Sequence, residues 1–289
     1  MEKELKRIEK TLNEISNSLQ KEIIIVENGV VDIKGAEKIM GSKQFLGPED
    51  IKNTFDFYPE NIPAIPFSWK ELERARDFGQ HLILYVEKTN DGKPFTVKEM
   101  VDIVDNKTSE GEEIFCFKTH IQDDEILKEQ TPRSGWRLTG PEVVKDSTQK
   151  NYLEQTDVLI SYLQNEVFEN QEVPEVYQNA IDQFLERKVE FKKEIAYSPY
   201  WEEVTKKLSE ISISQLLRER SSEIIYRLIL QERKYGIKDF ISGSSLSNSI
   251  GTNGKIVHVD MHKPSDWHVG GVRACKGAWR LGVCFSRGV

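Results

Sequence analysis

Cysteine is scarce in this chain. Three Cys among 289 residues are too few, and odd in number, to build a disulfide framework. No apolar run approaches the roughly 18 residues that a membrane-crossing helix needs, and the opening MEKELKRIEK lacks the apolar stretch of a secretory leader. The expected location is therefore the cytoplasm, with release to a surface or a phage particle left open. Glutamate also runs out: the last one is Glu232. From Phe240 onward six Lys or Arg stand against Asp260 and Asp266, a charge of +4, while the preceding 239 residues carry −12. A shift of this kind marks a segment under different constraints, but +4 over 50 residues is a weak footprint for nucleic acid. What is plentiful is ordinary globular material. With 38% hydrophobic and 30% charged residues, the chain can bury a sizeable core in one large domain or two.

Leu5, Ile8, Leu12, Ile15 and Leu19 are spaced 3-4-3-4 between polar residues, the seam of a coiled coil. A helix over 1–20 must bury that stripe against its own domain or against another copy, and the second outcome makes a homo-oligomer. In EIIIVENGVVDIKG two β-branched runs flank Asn28-Gly29, a type I′ hairpin signal. Ser68 followed by Glu71 caps a helix. HLILYVEK reads as a buried strand, DGKPFTVKEMVDIV as turn plus helix, and EIFCFKTHI as another strand. This order predicts a small α/β N-terminal domain over 21–128. Cys116 reads as a small buried hydrophobe, and His81 and His120 as structural histidines.

TPRSGWRLTGPEVV is turn-rich and opens a second domain over 129–289. Helices follow: one capped by Asp146 or Ser147 with Tyr152, Leu159, Leu163 and Val167 on one face, one after Pro174, one after Pro199, and one from Ser222 to Gly236. Beyond Gly236 short strands with Gly/Ser/Asn turns take over. The fold class is α+β.

On a strand His258, Asp260 and His262 share one face, and a metal is chemically sensible there. The spacing matches no metal motif, however, so no metal or cofactor is expected. Cys275 and Cys284 invite a thiol reading, yet a base placed beside either is not evident. GGVR and LGVCFSR have the look of scaffold. DMHKPSDWH and ACKGAW, by contrast, obey neither helical nor strand period, and their Trp, His and Arg are residue types that make binding hot spots.

These residues resemble a known family. GWRL followed by KDSTQKNYLEQTDVLISYLQNEVF, then SEIIYRLIL and GGVR…LGVCFSR, is similar to the variable proteins of diversity-generating retroelements, particularly those of small-genome archaea and candidate-phylum bacteria. FLGPEDI, IPFSWKELERARDFGQHLIL and DGKPFTVKEM extend the likeness over most of the chain. The resemblance implies a C-type lectin-like fold of the formylglycine-generating-enzyme-related branch, behind the small α/β domain. It also implies a C-terminal region, about 242–289, into which a reverse transcriptase writes substitutions at adenines. The product is a non-enzymatic binding protein with massive sequence variation, whose ligand is expected to be a protein. Carried onto this chain, the variable positions are His258, Asp260, Met261, His262, Lys263, Asp266, Trp267 and His268, then Ala274, Cys275, Lys276, Ala278, Trp279 and Arg280, with Ser244, Ser247 and Asn248 as further members. Two alternatives remain beside it: a catalytic relative using Cys275 and Cys284, and a phage receptor-binding protein.

Overall fold

The computed structural model describes residues 31–119, 121–197, 199–236, 244–263, 266–277 and 281–288. The heptad stripe of residues 1–20, the Asn28-Gly29 turn and His120 lie outside them. The first described element corrects the expected hairpin. Within its second arm Asp32 and Ile33 are not strand, because Asp32 accepts the Gly35 amide and caps helix α1 (Ile33–Met40), which buries Ala36, Ile39 and Met40.

Strand β1 (Phe45–Leu46) leads through helix α2 (Pro48–Phe55) to helix α3 (Trp69–Asp77), where Ser68 and Glu71 form the expected reciprocal cap. Strand β2 (His81–Tyr85), helix α4 (Val97–Ile103), strand β3 (Phe115–Phe117) and the short helix α5 (Glu125–Glu129) follow. The segment read as turn-rich is instead strand β4 (Gly135–Val143). It tolerates Pro141 because its pairing shifts register between Thr139 and Val143, a bulge that frees the position without an amide.

Helix α6 (Tyr152–Tyr162) begins at Asn151, not at Asp146 or Ser147, and runs into a π-helical turn (Leu163–Val167). Helices α7 (Glu175–Tyr197), α8 (Trp201–Glu210), α9 (Ser212–Leu217) and α10 (Ser221–Tyr235) come next, the last closed by Gly236 at φ 73°. Five strands complete the chain: β5 (Ser244–Ile250), β6 (Ile256–Lys263), β7 (Asp266–Val272), β8 (Leu281–Gly282) and β9 (Cys284–Arg287).

Two mixed sheets form, one in the order β1-β2-β4-β9 and one in the order β3-β7-β6-β5-β8. The α+β class is thus observed. Helix α10 touches β2 of the first sheet and β5 and β6 of the second. It is buried from Ser221 to Glu232, and its Tyr226 ring lies 5.5 Å from Phe55, 5.2 Å from Tyr85 and 6.0 Å from Phe95. Its charged residues are matched within the protein. Arg227 pairs with Glu219 at 2.9 Å and Glu223 with Arg133 at 2.6 Å. Burial opposes ionisation of Glu223, but the Arg133 charge overrides it and holds that carboxyl at about 2.

Packing does not break at residue 128. Strands β1 and β2 share a sheet with β4 and β9, β3 pairs with β7, and one hydrophobic cluster contains Phe45, Leu82, Trp136, Ile225, Val259 and Trp267. A second cluster joins α6–α9 to Leu246, Ile256, Ala274 and Phe285.

Candidate ligand-binding surface

The hairpin of β6 and β7 is two-sided, as alternation requires. Val257 and Val259 of β6 and Trp267 and Val269 of β7 are buried and belong to the cluster built around α10. The intervening residues His258, Asp260 and His268 are only half-buried. Register brings these three together, since Asp260 stands opposite His268 and His258 opposite Gly270. His258 Nε2 lies 3.9 Å from Asp260 Oδ1. A Cβ on Gly270 would lie 2.8 Å from His258 Cε1, so the imidazole lies over the bare backbone. Strand β3 adds half-buried Cys116 directly beside His268. The sequence suggested a buried thiol at Cys116, and only the β3–β7 pairing places it on this face.

Beyond β7 the chain turns, with Lys276 N donating to Arg273 O at 2.9 Å. Cys275 and Lys276 are exposed. Gly277 anchors the turn, because a Cβ there would come within 2.3 Å of Gln149 O. Exposed Arg273, read as scaffold, places its guanidinium 4.5 Å from the Trp201 ring.

Four expected display positions are internal. Trp267 is 5% exposed because strand parity turns it inward beside Val259. Ala274 is 2% exposed, its carbonyl accepting Tyr152 N at 3.0 Å, and it packs in the second cluster. Ser247 Oγ donates to Val257 O at 2.6 Å, and Asn248 N donates to Glu219 O at 3.0 Å; both residues are buried. The side chains of Ser244, Met261, His262, Lys263 and Asp266, and all of Ala278, Trp279 and Arg280, lie outside the described residues.

Among the described residues no three His, Cys, Asp or Glu gather closely enough to hold a metal ion. The two tail cysteines sit in opposite environments. Cys275 is exposed, whereas Cys284 is buried, and burial pushes its thiol up, so it stays protonated at neutral pH. That is the wrong state for a nucleophile. Among the described residues no helix is long and apolar enough to cross a membrane. Comparison of the chain with protein-family models, with curated proteins and with solved structures finds no significant match.

Proposed function

We propose that this chain is a ligand-binding protein whose C-terminal surface is diversified by a retroelement, displayed on a C-type lectin-like fold of the formylglycine-generating-enzyme-related branch. The observation that carries the reading is the division of β6 and β7 into a fixed inner face and an accessible outer one. Substitutions at His258, Asp260, His268, Cys275 and Lys276 leave the inner packing untouched, which diversification without loss of folding demands. Trp267, Ala274, Ser247 and Asn248 move from display to support. A face mixing imidazole, carboxylate and thiol over a rigid sheet, with the exposed turn of Cys275 and Lys276 following β7, suits a protein ligand, for which polar contacts set orientation and partner choice.

The test is the DNA beside the gene. A near-copy of the 3′ end, differing at adenines and adjoining a reverse-transcriptase gene, is expected, with mismatches at the codons of the five accessible residues. Mismatches falling instead on Val257, Val259 and Val269 would overturn the assignment.

A further inference from the structure

A cavity of about 320 Å³ opens on the inner side of the five-stranded sheet, between α10, β2 and the β6–β7 pair. That is the lower end of the range for small-molecule pockets. Most of its wall is apolar, with Ile224 and Leu228 of α10 on one side and Val259 and Trp267 on the other. Its polar lining combines Lys43, Tyr235, Ser245 and Cys284 with Arg227, Gln231 and His81. The last three belong to a hydrogen-bond chain of fixed direction that starts at Glu219, outside the lining. The Glu219 carboxylate accepts from Arg227 Nε at 3.0 Å and from Nη2 at 2.9 Å. Arg227 Nη1 donates to Gln231 Oε1 at 3.3 Å, which leaves the Gln231 amide nitrogen facing His81 Nδ1 at 2.8 Å.

An amide nitrogen only donates, so His81 Nδ1 accepts, and the single proton of the neutral ring stands on Nε2. Reversing the Gln231 amide would set its nitrogen against the Arg227 donor, so Arg227 fixes the tautomer from two residues away. Burial, with the positive charges of Arg227 and Lys234 behind it, holds the His81 ring down to about 4, so it is neutral at physiological pH. Arg227 itself is matched by Glu219, and the other cation of the lining, Lys43, is exposed to water, which screens its charge.

We propose that this cavity binds a small, flat, uncharged molecule bearing a carbonyl-type acceptor oxygen, which receives a hydrogen bond from His81 Nε2. The ring packs between Trp267 and the aliphatic residues of α10. This inference does not depend on the proposed recognition surface, which lies on the opposite face of the sheet. It assigns the inner face a ligand of its own.

The test titrates the full-length protein with acetophenone, with ethylbenzene as the analogue lacking the oxygen and with benzoate as the charged analogue, followed by ligand-observed NMR. Saturable binding of acetophenone is expected, with a preference of about tenfold over ethylbenzene, the size of one hydrogen bond to a buried donor. In His81→Leu the preference falls to about onefold while ethylbenzene binding persists, a change that general loosening of the structure does not produce. Leu228→Trp fills the cavity and abolishes binding of both neutral probes. Should that variant lose its cooperative melt, Val259→Phe fills the same space from the sheet side. Absence of saturable acetophenone binding, an unchanged preference in His81→Leu, or tighter binding of benzoate would each overturn the proposal.

Discussion

At Trp267 the indole is 5% exposed and stands opposite Phe115 in register, whereas the next residue, His268, turns outward beside Asp260 and Cys116. Replacing Trp267 with Ser deletes a large buried side chain, and the expected loss is about 3–5 kcal/mol. Replacing His268 with Ser is expected to stay within about 0.5 kcal/mol. Urea unfolding of both variants checks the contrast, and equal losses would remove the inner/outer division. His81 supplies a pH test. Its folded-state value of about 4 lies below the ordinary 6.5, so below pH 6.5 the unfolded chain binds the proton more readily. The stabilisation from keeping this ring neutral is complete above 6.5 and is lost as pH falls toward 4. It amounts to about 3 kcal/mol. Unfolding free energies between pH 4 and 7 should slope more steeply in the wild type than in His81→Leu. The composition of DMHKPSDWH marked the segment as unusual, but parity alone does not say which face looks inward. That choice is made by α10, more than 30 residues upstream, whose Ile225 and Leu228 supply the apolar wall.

Element boundaries were legible wherever a cap is local. Ser68 with Glu71, and Gly236 after Tyr235, stand where the sequence places them. The start of α6 was misplaced because Asp146 and Gln149 adopt left-handed backbone, φ 63° and 62°, which no helix can contain. Ser147, the other candidate, spends its hydroxyl on Val283 N at 3.1 Å, so the cap passes to Asn151, whose Oδ1 accepts Glu154 N at 3.0 Å. Asn151→Ala is expected to cost about 1 kcal/mol. Gly277→Ala is expected to cost more than that, since the backbone of Gln149 cannot yield as a flexible side chain would. Thermal melts of the two variants rank them. The GPE of β4 read as a turn for a related reason. Only the register shift against β9, a strand about 140 residues later, makes a proline acceptable there.

The whole molecule behaves as the sheets dictate. A domain boundary at residue 128 was read from the order of elements along the chain, yet order does not reveal which strands pair. Here β2 takes β4 as its antiparallel neighbour, and Trp136 and Leu138 of β4 complete the core begun by Phe45 and Leu82. Helix α10 then packs Tyr226 onto Phe55, Tyr85 and Phe95, all of them N-terminal. A fragment of residues 21–128 loses β4, β9 and α10 together, leaving Tyr85 and Phe95 bare, and is expected to show no cooperative melt. The full chain, by contrast, is expected to unfold in one calorimetric transition, because the two sheets share α10 between them. A cooperative transition in the isolated fragment, or two resolved transitions in the whole chain, would restore the boundary. A single cooperative unit also ties the proposed recognition face to the rest of the protein. A ligand held at His258 and His268 rests on strands whose inner residues pack against Phe115 and α10, so its binding should raise the melting of the entire chain. It should not protect the tail alone, and amide exchange in β2 and β4 would follow that of β6 and β7 when the ligand is added.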